Sequence, residues 1–228
     1  CNERVNQWSS SDPITVDNPY LMDMDVGDID GDGDADIVMN VIDRGFTNNF
    51  LMVYKGPDPS QITNQQTIPV PLTNGLYTNL FLGNWGETVV GGGIGGGIGD
   101  CEDLDIWLLR TPPYNAAVGY AAGHHDNMTV LEYDCTLGTF PNPLDSTSNA
   151  VHNFKLDTEQ SDPIDGIDIA DTDDNGEIDL IAHVDGLTGN ISYATRSGNN
   201  WNTQNYVHLG DFKGASLTIS DVNRDGHY

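Results

Sequence analysis

Three short stretches of this chain repeat one arrangement of acidic residues around a glycine, and that arrangement leaves few folds open. The first, Asp28-Ile-Asp30-Gly-Asp32-Gly33-Asp34-Ala-Asp36, runs into Ile37-Val38-Met39. The second, Asp171-Thr-Asp173-Asp-Asn175-Gly176-Glu177-Ile-Asp179, runs into Leu180-Ile181-Ala182. The third is Asp221-Val-Asn223-Arg-Asp225-Gly226-His227-Tyr228. Alternating or apolar runs precede them at residues 21–26, 164–169 and 217–219. A longer-range match supports repetition: Trp8 precedes Asp28, and Trp201 precedes Asp221, by the same spacing. Each Trp reads as part of a turn, followed by one strand (13–16 or 205–209) and a second strand that feeds the loop.

The segments between these anchors read as strands, from β-branched and alternating runs bounded by turn residues. A first unit carries 20–27, 35–42, 49–55 and 66–72. A second carries 78–85, 104–110, 128–134 and 151–156. A third carries 164–170, 178–184, 190–195 and 204–209, and a fourth opens at 215–220. Four strands per unit, with 26 Gly and 11 Pro to supply turns, is the spacing of a propeller blade. The expected fold is therefore all-β: a β-propeller of four-stranded blades with Asp-rich loops, its ring incomplete in this stretch of sequence. The units are 1–17 (tail of a preceding blade), 18–75, 76–157, 158–210 and 211–228 (start of a truncated blade). Insertions at 86–103 and 111–127 stretch the second. No linker divides the chain into independent domains.

The loop pattern suits calcium, which takes six to eight hard oxygen ligands. Positions 1, 3 and 5 of a tight loop point side chains inward, and position 6 needs a turn that glycine tolerates best. Position 7 offers its backbone carbonyl, so its side chain varies: Asp34, Glu177, His227. Position 9 returns a carboxylate, Asp36 or Asp179. An EF-hand would reach a Glu at position 12 between helices; here that place holds Met39 or Ala182, with strands on both sides. Magnesium fits less well, because it keeps several waters.

These loops and their flanking strands resemble the FG-GAP/VCBS-type repeats of integrin-α-like calcium-binding β-propellers. The resemblance implies one calcium site from Asp28, Asp30, Asp32, Asp34 and Asp36, and another from Asp171, Asp173, Asn175, Glu177 and Asp179. An incomplete third would use Asp221, Asn223, Asp225 and His227. It further implies a non-enzymatic, calcium-stabilised binding, adhesion or structural module, secreted or at the cell surface, with a protein or glycan ligand. The alternatives are the propeller body of a polysaccharide-acting, lyase-like enzyme, or a glycan-binding lectin. Self-association or further blades would complete the ring.

The second unit departs from the pattern. Gly83-Asn84-Trp85-Gly86 begins like a loop but runs into the glycine-rich stretch 91–99, before Asp100, Glu102, Asp103 and Asp105. A decayed loop with an insertion is the favoured reading over an intact metal site. The glycine run lacks the Lys-Ser/Thr of a phosphate loop.

A formal charge of −27 repels nucleic acid and anionic lipid heads and attracts cations. Three bound divalent ions would offset only six of those charges, so most of the excess is solvated. No apolar run is long enough to span a bilayer. Cys101 and Cys135 flank one unit and are the candidate disulfide pair; Cys1 is left over, as a lipidated N-terminal cysteine or a cleavage boundary. His124-His125-Asp126, near Tyr114 and Tyr120, reads as an exposed loop rather than a ligand contact. His152, His183 and His208 read as surface or strand positions. No nucleophile elbow or zinc motif is present.

Overall fold

The computed structural model of this chain describes residues 20–43, 49–56, 65–70, 76–86, 104–111, 114–115, 119–120, 127–134, 137–143, 148, 150–156, 164–173, 175–185, 190–197, 200–208 and 216–222. Among them the structure is all-β, without a helix, and holds three four-stranded antiparallel sheets. Sheet one is β1 (Tyr20–Gly27), β2 (Asp36–Ile42), β3 (Asn49–Tyr54) and β4 (Gln65–Val70), paired in chain order. Sheet two orders β5 (Leu76–Gly83), β6 (Asp105–Thr111), β9 (Asn127–Leu131) and β10 (Val151–Lys155). A small hairpin, β7 (Tyr114–Asn115) with β8 (Gly119–Tyr120), interrupts it between β6 and β9. Sheet three is β11 (Ile164–Ala170), β12 (Leu180–Asp185), β13 (Asn190–Ser197) and β14 (Asn200–His208).

The strand periodicity explains how the sheets pack. Successive side chains on a strand point to opposite faces. On β6, Ile106, Trp107, Leu108 and Leu109 are all fully buried, because both faces of sheet two are covered. Ile106 and Leu108 join Val38, Leu51, Val53 and Leu80 in one core between sheets one and two. Trp107 and Leu109 join Ile164, Ile167, Ile181 and Ala194 in a second core between sheets two and three. A strand covered on both sides reads as a continuous apolar run rather than an alternating one, as residues 106–109 do.

Carboxylates also tie neighbouring units. Asp23 Oδ2 and Asp25 Oδ2 on β1 accept the backbone N–H of Leu80 and Leu82 on β5, each at 2.9 Å. On β11, Asp168 Oδ2 accepts the N–H of Ile219 at 2.8 Å. Asp25 and Asp168 each stand three residues before the first Asp of a loop, so the two bonds are counterparts. The buried amide of Asn40 adds a further tie, donating to the Tyr77 carbonyl at 2.8 Å.

Two expectations are corrected. Trp201 lies inside a strand rather than in a turn, because β14 begins at Asn200, which pairs with Ser197 across a short connection. Residues 216–220 form no strand; Asp168 on β11 bonds Thr218 and Ile219 and the Ser216–Leu217 backbone passes close to Gly166, but no ladder forms, and a strand needs one.

Candidate metal centre

The loops at 28–36 and 171–179 share the hydrogen bonds of their first, fifth and sixth residues. Asp28 accepts the backbone N–H of Asp32 at 3.1 Å and of Gly33 at 2.8 Å, one on each carboxylate oxygen. Asp171 does the same with Asn175 at 3.3 Å and Gly176 at 2.7 Å. The fifth residue then closes a smaller turn of the Asx kind. Asp32 Oδ1 accepts the N–H of Asp34 at 2.9 Å, and Asn175 Oδ1 that of Glu177 at 2.7 Å. Gly33 and Gly176 sit at φ +86° and +91°, where a Cβ costs about 1–2 kcal/mol. No atom crowds the place a Cβ would take at either glycine, so backbone conformation alone demands the residue.

Each loop closes on its ninth residue. Asp36 is fully buried; its Oδ2 accepts the N–H of Ile29 at 2.9 Å and its Oδ1 that of Gly56 at 2.6 Å. Asp179 Oδ1 accepts the N–H of Thr172 at 3.0 Å, and the Thr172 hydroxyl donates to the same carboxylate at 2.7 Å.

This closure gathers carboxylates. One oxygen each from Asp28, Asp30 and Asp36 lie within 4.8 Å of one another, and so do those of Asp171, Asp173 and Asp179. Asp32, Asp34 and Glu177 stand outside these groups. The Glu177 carboxylate lies instead 3.5 Å from Arg196 Nη1.

The donor set fits a divalent cation. It is made of hard oxygens, which calcium and magnesium prefer. Asp30 Oδ1 is buried without a hydrogen-bond donor, an arrangement that costs about 1–3 kcal/mol unless something satisfies the oxygen. Its other oxygen pairs with Lys55 Nζ at 3.3 Å. Burial pushes the Asp36 carboxyl above its ordinary range; the N–H groups of Gly56 and Ile29 pull it back, and the nearby Asp30 and Asp32 charges push it up further. Burial pulls the Lys55 ammonium down, but its bond to the Tyr133 hydroxyl and the Asp30 charge outweigh that and leave it raised. Burial lowers Arg196 against the opposing charges of Glu177, Glu132, Asp105 and Asp179.

The second unit keeps the frame of such a loop. Asp105, buried, accepts the N–H of Trp85 through Oδ2 at 2.6 Å and that of Tyr133 through Oδ1 at 3.1 Å. That is the Asp36 arrangement, with Trp85 in place of Ile29 and Tyr133 in place of Gly56. Among the described residues no carboxylate triad accompanies it. The sequence signal was present: Asp105 precedes Ile106-Trp107-Leu108 as Asp36 precedes Ile37-Val38-Met39.

Of the third loop's expected ligands only Asp221 is described; Asn223, Asp225 and His227 lie outside the described residues. So do Cys1, Cys101, Cys135 and residues 124–126. His183 holds a strand position, on β12, and is buried there. His152 lies on β10, 2.7 Å from Glu132 Oε1. No helix among the described residues is long and apolar enough to cross a membrane. No protein-family model, curated protein or solved structure matches this chain.

Proposed function

We propose that this chain is a calcium-stabilised, non-enzymatic binding or structural module of the extracellular space or cell surface, its sheets stacked as blades of a β-propeller. One observation carries the reading. Two loops far apart in sequence share a hydrogen-bond pattern, and each brings three carboxylates together at positions 1, 3 and 9. Position 7 contributes its carbonyl, which leaves Glu177 free to engage Arg196. The metal neutralises clustered charge and fixes the loop that joins the first two strands of a sheet.

The propeller plan draws support from how the sheets meet. Leu80 on β5 is buried and Leu82 partly buried in the core shared with sheet one. Their counterparts on β1, Met24 and Val26, are exposed beside Tyr20 and Leu21. A further sheet of the same kind on that side of β1 would cover them. The FG-GAP/VCBS-type resemblance of the loops points to the same plan and to calcium as the ion.

Calorimetric titration tests the reading. Calcium added to chelator-stripped protein gives saturable heat, and Asp28→Ala and Asp171→Ala each remove part of it. Magnesium binds more weakly. Wild-type protein that gives no saturable heat with millimolar calcium contradicts the proposal.

A further inference from the structure

Between the outer strands of sheets two and three lies a cleft of about 510 Å³, within the roughly 300–1,000 Å³ of small-molecule sites. Its walls are aromatic. Phe154 on β10 and Trp201 on β14 stack at 5.2 Å with their planes 9° apart. Trp85 stacks on His152 at 4.5 Å. Asn153, Lys155 and Asn200, all exposed, line the same cleft. None of the lining residues belongs to either carboxylate triad, so the cleft is a feature separate from the metal loops.

We propose that this cleft binds a pyranose ring of an oligosaccharide. Aromatic faces carry negative charge density and favour weakly positive C–H groups laid flat against them, which is what one face of a pyranose offers. The Asn200 amide both donates and accepts, the Asn153 amide donates while its Oδ1 holds the Thr129 hydroxyl at 2.8 Å, and the Lys155 ammonium donates; together they match a ring of hydroxyls. Competing ligands suit the site less well. An organic cation would meet the Lys155 ammonium, and Arg196 already lies over the Trp85 ring at 4.5 Å. A nucleotide would bring phosphates to a chain of charge −27, which repels them. The ring of Trp201, rather than its N–H, is what the site uses. Its Nε1 is buried without a hydrogen-bond partner, a penalty that phenylalanine would avoid while offering a narrower face.

The test follows tryptophan emission as the calcium-loaded full chain is titrated with defined oligosaccharides of neutral hexoses and of uronic acids. At least one class gives a saturable change. Trp201→Ala weakens it by about twofold to tenfold, the loss of one aromatic stack. Because Trp201 also packs against Trp107, the exposed-rim variants Lys155→Ala and Asn200→Ala keep the test independent of folding. They weaken sugar binding severalfold and leave the unfolding midpoint unchanged. Three results overturn the inference: no saturable change with any sugar, saturation by choline instead, or sugar affinity untouched by the Trp201 and rim variants. Sugar binding without a calcium effect on unfolding would remove the metal reading and leave this one standing.

Discussion

The carboxylate of Asp105 accepts the backbone N–H of Trp85 at 2.6 Å across twenty residues, in a loop where no carboxylate triad is found among the described residues. The ninth-place aspartate therefore has two separable tasks: satisfying buried N–H groups and joining a carboxylate cluster. Asp105 performs the first; Asp36 combines both. Asp105→Ala strands two buried donors at about 1–3 kcal/mol each, so it should lower stability by about 2–6 kcal/mol, equally in calcium and in chelator. Asp36→Ala should cost a similar amount in chelator and clearly more in calcium. Urea unfolding in the two buffers checks this; a calcium-dependent penalty for Asp105→Ala would contradict it.

The carboxylates that join units have their own signature. Asp25 holds the Leu82 N–H and Asp168 the Ile219 N–H. Replacing either with Ala should cost about 1 kcal/mol, the ordinary net worth of a hydrogen bond. The amide of Leu82, or of Ile219, should exchange with solvent faster, while the amides inside β2 and β12 hold their protection. Hydrogen exchange read by NMR checks the pairing residue by residue; unchanged Leu82 protection in Asp25→Ala would refute the tie.

Much of this fold was legible because its signals are local. Strand periodicity and turn residues placed the described strands, with β1 and β11 at their expected limits and β5 shifted by two residues. What escaped needs the third dimension. Asp23 and Asp25 sit in a strand that reads as alternating, and nothing nearby in sequence says that their partners are Leu80 and Leu82. The start of β14 was hidden because Asn200-Trp-Asn-Thr203 carries the polar composition of a loop, yet it pairs with β13 as an edge strand. The hairpin of β7 and β8 lay within an apparent insertion. The loop ligands divided for a similar reason. Sequence spacing put positions 1, 3, 5, 7 and 9 together, whereas Asp32 turns Oδ1 to the Asp34 N–H and stands outside the carboxylate group.

Acid should bring the metal-free and metal-loaded proteins together. Burial first, then the Asp30 and Asp32 charges, raise the folded Asp36 carboxyl above the ordinary 3.8. An acid whose folded pKa is raised binds protons more tightly when folded, so its contribution to metal-free stability is complete below 3.8 and is lost as pH rises through the folded value. Metal binding needs the ionised carboxylate and so weakens over the same window as pH falls. The stabilisation by calcium should therefore shrink on acidification, starting above the pH at which an ordinary aspartate protonates. A carbon-13 titration of Asp36 Cγ in the metal-free protein should give a midpoint above 3.8; a midpoint at or below it would contradict the burial argument.

The most direct test of the account is thermal unfolding of the stripped protein with and without saturating calcium. A ligand at about a hundred times its dissociation constant stabilises the folded state by about 2.7 kcal/mol per site. For a chain of this size that raises the midpoint by roughly 5–10 °C for each filled site. The account predicts such a rise, reversed by chelator and reduced in steps by Asp30→Ala and Asp173→Ala. Identical melting curves in calcium and in chelator would contradict it.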